Sequence, residues 1–379
     1  MPGTFPRKHA PWTSGVHSRR ARIAHEPQEE GLPHSTALRR PQPPGEAAND
    51  GGLHLSKLLN TVAVIVISLA AGYVARLYVL RWDPTDGARK LSAVAAKLQK
   101  VVMLVFMPLM LINTFWGLRL SGGTLVLYPL IGAFSHVISG GASILTSRRL
   151  NHASQQAGAM FNCGTFTNIT SFGGLTAFMF YGEAGYALSA LFKLFEPLIY
   201  FTIGFPLAKM YSEGGTGGAR IRVDVGALLR DIIVMLPLLG IGLGALLNWS
   251  GVVRPSALGD LMEPFVMVAT SLLLVSAGLN MKLASFGTYR REVFAVLAIK
   301  NVIVPLSLLL VGLAVGYGRI DGGMPLRVLV TMGAMPVAFK SLVAASLYKL
   351  DTDLANLLWL ISTAVFVAIL PLMYLVSVM

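Results

Sequence analysis

FNCGTFTNITSFGG occupies residues 161–174, and TMGAMPVAFKS occupies residues 331–341. Both lie within apolar runs long enough to cross a membrane, yet both carry residues that a lipid-facing helix does not tolerate. In the first, Asn162, Gly164, Thr165, Thr167, Asn168, Thr170, Ser171, Gly173 and Gly174 compete with the helical backbone or leave it unsupported. In the second, Pro336 lacks an amide hydrogen and clashes with the preceding turn. Opened backbone groups cost several kcal/mol each in hydrocarbon, so such breaks persist only inside protein or beside a watery cavity. The two stretches therefore predict a pair of interrupted helices around which the rest is arranged.

The surroundings agree with a membrane setting. Of 379 residues, 54% are hydrophobic and 13% charged, and the mean hydropathy is +0.64, which no soluble surface of this size hides. Apolar spans are predicted at 58–80, 98–118, 122–146, 154–181, 185–211, 228–248, 260–282, 291–317, 325–349 and 354–377. The expectation is an all-α integral membrane protein with ten transmembrane helices. The stretch 86–97, DGARKLSAVAAK, is amphipathic and is expected to lie at the interface before the second span.

A basic, proline-rich tail is expected over 1–56, holding eight of the prolines and five of the seven histidines and no apolar run. It reads either as a solvated disordered extension or as residues added by a mis-assigned start. The Gly-rich joint EGGTGGA at 213–219 lies in an expected cytoplasmic linker, 213–227, which separates a first five-helix repeat, 57–212, from a second, 228–379. An odd number of helices per half turns the halves opposite ways across the membrane. Leu175, Ala177 and Tyr181 recur at the same spacing as Leu342, Ala344 and Tyr348, a faint echo between corresponding helices.

The net charge of +13 would suggest nucleic acid in a soluble protein. Here it reports topology. Joints after odd-numbered spans hold fourteen Lys and Arg, among them Arg89, Arg148, Arg230 and Arg290, whereas the opposite joints hold Arg119, Arg254, Arg319 and Arg327. That bias places the first set in the cytoplasm and both termini outside it, in an integral plasma (inner) membrane protein.

Two helices broken at corresponding positions of inverted halves are the pattern of a transporter with its substrate near the midplane. The residues themselves resemble the auxin efflux carrier family, which includes PIN-type exporters and bacterial malonate and malate carriers. NITSFGGLTAFMFYGEAG at 168–185 resembles that family's Asn-containing crossover and its Gly-Glu-x-Gly turn. LVTMGAMPVAFKSLVAASLYKLD at 329–351 resembles the second crossover, and Ser362-Thr363 with Pro371 resembles the last helix. Pro237, Gly240, Pro255, the SAGLNM run at 276–281 and Pro305 are similar as well. The resemblance implies a scaffold of helices 1, 2, 6 and 7 forming a homodimer. It also implies a transport bundle of helices 3–5 and 8–10, in which helices 4 and 9 cross and which moves as an elevator.

Polar side chains at membrane depth are functional candidates. Lys340 lies one turn beyond Pro336, where it either draws an anion to the crossover or stands in for a fixed cation; a lysine snorkelling to the interface is the competing reading. Asn162 and Asn168 are expected to meet substrate or to cap the broken backbone, with Thr170 and Ser171 beside them. Asn301, before Pro305, is expected to line the same site, while Lys300 either couples transport or reaches a headgroup. Glu196 is a candidate proton carrier, although Lys193, three residues earlier, is expected to neutralise it. His136 is expected to be packed and hydrogen-bonded, and Asn113 to act as interhelical glue.

The function expected is secondary or facilitative transport of a small organic anion, a carboxylate, dicarboxylate or auxin-like weak acid, by alternating access. The alternatives are a non-transporting sensor on the same fold, or a channel. Cys163 is the single cysteine, so no internal disulfide forms, and no His, Cys and carboxylate spacing suggests a metal or other cofactor. No GxxxxGK[ST] phosphate loop, paired catalytic carboxylates or activated nucleophile points to an enzyme.

Overall fold

A computed structural model describes residues 44–118, 123–212, 230, 232–281 and 287–378. The chain divides into two units, Met1–Ala47 and Ala48–Met379, and the second carries all that follows except the first four residues of α1. Its helices, in order, are α1 Pro44–Trp82, α2 Gly87–Gly117, α3 Tyr128–Arg149, α4 Ser154–Thr165, α5 Ile169–Ser212 and α6 Ile232–Trp249. They are followed by α7 Ser256–Asn280, α8 Arg290–Val315, α9 Met324–Gly333, α10 Phe339–Leu347 and α11 Thr352–Val378. No strand occurs among the described residues. Seven of the helical stretches are long and apolar enough to cross a bilayer, which makes this a multi-pass membrane protein.

Residues 1–43 of the expected tail and the expected linker 213–227 lie outside the described residues, and α1 already begins at Pro44. The expected interfacial helix over 86–97 is absent as a separate element, because those residues form the first part of α2 without interruption. Its apolar stripe meets protein: Leu91 and Ala95 are buried against Val79, Leu80, Val275 and Leu279. The turn into α2 is held by Asp83, whose carboxylate accepts from Lys90 Nζ at 2.6 Å and from Asp86 N at 3.0 Å. The Lys90 donor holds the Asp83 carboxyl below its ordinary range.

Prolines shape the helices in a repeated way. Wide π-turns span Val102–Phe106, Tyr200–Gly204 and Ile299–Ile303, and each stops two residues short of a proline, respectively Pro108, Pro206 and Pro305. A proline clashes with the carbonyl four residues back, and that carbonyl falls inside the π-turn every time. The extra residue relieves the clash and rotates the helix face. Met103, Tyr200 and Lys300 sit in these turns.

Helix α5 bends at Gly182, whose φ of +67° and ψ of −157° suit glycine, and turns again over residues 193–195. Its 44 residues would span about 66 Å as one rod, roughly twice a bilayer's hydrocarbon core. Buried side chains form two main clusters. One joins Met160, Cys163, Ile299, Leu329 and Trp359; the other joins Leu111, Phe115, Phe172, Leu274 and Phe366.

Helices α1 and α7 approach closely where Gly72 faces Gly278, so that a Cβ added to either would stand 3.0 Å from the other's Cα. Gly278→Leu is therefore expected to destabilise the detergent-solubilised protein by about 1–3 kcal/mol or more. Gly141→Ala, on an open face of α3 with nothing within 4 Å, should leave stability equal or slightly higher. Thermal melts of the two variants side by side check the contrast, and equal midpoints would contradict the tight crossing.

Candidate functional site

Two helix interruptions lie against each other. After α4 the chain runs extended through Phe166, with φ −88° and ψ 138°, and coils again only at Ile169. After α9 it leaves the helix at Ala334 and resumes at Phe339, with Ala338 extended at φ −68° and ψ 137°. Asn168 N donates to Pro336 O at 2.8 Å, Ala338 N donates to Phe166 O at 3.0 Å, and Thr167 and Val337 form an isolated antiparallel bridge. Val337 N donates onward to Ser362 Oγ at 3.1 Å. Each break thus satisfies groups that the other exposes, and Pro336 takes part as an acceptor, which needs no amide hydrogen.

The restarting helices present their N-termini here. Asn168 caps α5, its Oδ1 accepting from Ser171 Oγ at 2.6 Å and Ser171 N at 3.5 Å. Beside them opens a cavity of about 140 Å³ lined by Thr167, Asn168, Thr170, Ser171, Phe339 and Lys340, with Gln99 and Met103 of α2 and Ser276 of α7 opposite. A second cavity, of about 240 Å³, is lined by Met107 and Leu111 of α2, Lys193, Tyr200 and Phe201 of α5, and Pro237 and Ile241 of α6. Met103, Thr170, Glu196 and Lys340 line both. A void of about 150 Å³ holds a benzene-sized guest, so either cavity is of the scale of a small organic molecule.

Charge is concentrated at the shared wall. Glu196, 4% exposed, is ion-paired with Lys340. The Lys340 ammonium also lies 4.9 Å from the Tyr200 ring centre and 5.6 Å from that of Phe166, and Tyr200 Oη donates to the Lys340 carbonyl at 2.7 Å. Lys193 Nζ donates to Thr170 Oγ1 at 3.2 Å. The sequence expectation that Lys193 and Glu196 pair along one helix face is corrected: the chain turns over 193–195, which breaks the i,i+3 register, and Glu196 reaches Lys340 instead. With one carboxylate taken by Lys340, the Lys193 ammonium leaves the wall of the larger cavity with a positive excess.

The structure brings Asn168, Thr170, Ser171, Glu196 and Lys340 to the cavities. Pro336 stands behind them as a backbone partner. Asn162 is fully buried, donates from Nδ2 to Gly158 O at 3.0 Å and accepts Ser341 Oγ at its own carbonyl at 2.9 Å, so it ties α4 to α10 and lines neither cavity. Asn301 also lines neither, since its Nδ2 turns back to Leu297 O of its own helix at 3.0 Å. Lys300 does not reach a headgroup; it is 1% exposed and donates to Thr167 Oγ1 at 2.9 Å and Phe166 O at 3.1 Å. His136 is packed, with Nδ1 2.9 Å from Gly132 O and its ring 5.6 Å from that of Phe166. Asn113 Nδ2 donates to Leu258 O. No group of His, Cys, Asp and Glu able to hold a metal occurs among the described residues.

Sequence reasoning did not single out Lys193 as a ligand group, nor Gln99, Ser276 and Tyr200 as lining. Gln99 Nε2 donates to Ser276 Oγ at 3.0 Å across the smaller cavity's wall. A usable signal existed for Tyr200, because Pro206 implies a widened turn beginning near residue 200. Compared with protein-family models and with curated proteins, the chain gives no match to either.

Removing one partner of a buried ion pair costs more than removing both. Lys340→Met, which strands the Glu196 carboxylate, is expected to destabilise by about 3 kcal/mol, the low end for such pairs because Lys340 keeps a side-chain exposure of 33%. The double variant Lys340→Met/Glu196→Gln should recover most of that loss. Denaturation of the single and double variants tests the coupling, and additive losses would contradict it.

Proposed function

We propose that the chain is a secondary carrier for a small organic anion, with its binding site at the paired interruptions. The observation that carries this reading is the convergence of two helix N-termini and the Lys340–Glu196 ion pair on the smaller cavity, with the ammonium of Lys193 lining the larger cavity that shares the Glu196 and Lys340 wall. Helix N-termini attract negative charge, and a partly wet cavity lets a carboxylate exchange water for backbone N–H groups and lysine. The neutral donors Asn168, Thr170 and Ser171 fix orientation.

Ten passes fit the helices. Six stretches besides α5 are of spanning length, α4 with the part of α5 before Gly182 forms one interrupted pass and the rest of α5 another pass, α6 adds a short apolar pass, and α9 with α10 forms the second interrupted pass. Five passes on each side of the 213–227 joint make two inverted halves, with both termini outside the cytoplasm in the plasma (inner) membrane. In this reading α1, α2, α6 and α7 form the scaffold and its homodimer contact, whereas α3–α5 and α8–α11 move as an elevator. One contact between the two sets is where such movement would have to act. Glu183, next to the Gly182 bend, is ion-paired with Arg254 of the joint before α7, and Arg254 Nη1 also donates to Asn113 O of α2 at 3.1 Å.

Purified protein in liposomes is expected to take up a labelled small carboxylate with saturation and trans-stimulation. Measured per assembled protein, Lys340→Gln should abolish that flux and Lys193→Gln lower it at least tenfold; full flux in both variants would defeat the proposal. For the elevator, cysteines at 183 and 254 joined by a short bifunctional thiol reagent should arrest uptake, and reductive cleavage of the reagent should restore it. Undiminished uptake in the cross-linked protein would rule out relative movement there.

A further inference from the structure

Lys300 is a buried ammonium that the transport reading leaves unused. It lies in the π-turn Ile299–Ile303 of α8, is 1% exposed, and makes no ion pair among the described residues. Its three acceptors are Thr167 Oγ1 at 2.9 Å, Phe166 O at 3.1 Å and Thr165 O at 3.4 Å. An ammonium carries three N–H groups, so all are accounted for. The acceptors are the last carbonyl of α4, the next carbonyl, and the hydroxyl of the residue that bridges to Val337. They mark the negative end of the α4 dipole, where a cation is favoured. Two of the three are also held from other sides: Thr165 O accepts Ser139 Oγ at 3.1 Å, and Phe166 O accepts Ala338 N at 3.0 Å.

We infer that Lys300 is a tethered cation, filling a monovalent-cation site made by the oxygens of residues 165–167, and that it positions the first interruption for its pairing with the second. The second interruption uses a neutral hydroxyl, Ser362 Oγ, at Val337 N. The oxygens at the first interruption are all acceptors, which suits a donor with several N–H groups, and the chain supplies one from a neighbouring helix. Removing the side chain beyond Cβ leaves three converging oxygens at the end of the space that its methylenes and ammonium filled. This inference concerns packing and charge within the chain and stands independently of whether the protein moves an anion.

The test is thermal melting of the full-length protein in detergent, in choline chloride with or without ammonium or methylammonium chloride. Lys300→Ala is expected to lower the midpoint by at least about 4 °C in choline, and ammonium or methylammonium should restore at least half of the loss. Choline, too large for the site, should not, and wild type should shift little with any of these salts. Restoration by sodium or potassium also supports the site, because charge and size then suffice. No selective gain from any small cation, or an equal gain in wild type, overturns it. If Lys300→Ala cannot be purified in choline, purification in ammonium chloride serves as the same test, and failure there also overturns the inference. Thr167→Val keeps both carbonyls and removes one acceptor. It should lower the midpoint by a few degrees, less than Lys300→Ala, and an unchanged midpoint in Thr167→Val counts against the tethered cation.

Discussion

Pairing between two broken helices is the constraint on which the structure depends. Asn168 N with Pro336 O, and Ala338 N with Phe166 O, let the chain abandon the helix twice in an apolar interior without leaving amides or carbonyls bare. Neither break is affordable alone, because the partner groups of each belong to the other. Once they are fixed together, the positions of α4, α5, α9 and α10 follow, and with them the helix starts that border the smaller cavity. Residues remote in sequence serve the same end: Ser139, Lys300 and Ser362 each donate or accept at the pairing, from α3, α8 and α11.

Three lysines near the crossing have distinct environments, and the differences decide what each can do. Lys340 is ion-paired with a buried carboxylate and flanked by two rings. Lys300 is enclosed by uncharged oxygens. Lys193 meets a single hydroxyl at the wall of the larger cavity. A charge facing neutral partners keeps more of its reach than one beside its counter-ion, so Lys193 contributes more to the field in the cavity than its place in the sequence suggests.

The interruptions were legible in the sequence because Asn, Gly, Thr and Pro act on their own backbone, and that action needs no knowledge of distant residues. Partner choice was not legible. One continuous helix would pair Glu196 with Lys193, but a turn over 193–195 redirects it to Lys340, which lies 144 positions later. Asn301 was a fair candidate as an amide in a membrane span, yet it bonds back to Leu297 from within the widened turn ahead of Pro305. The amphipathic stretch 86–97 carried the right apolar stripe, and the surface it covers, α1 and α7, became visible only in three dimensions.

Thr170, Glu196 and Lys340 border both cavities, so the two chambers are separated by one thin charged partition. Anionic guests on its two sides would repel each other at short range and compete for the same ammonium. Double occupancy is thereby penalised electrically, before any change of shape.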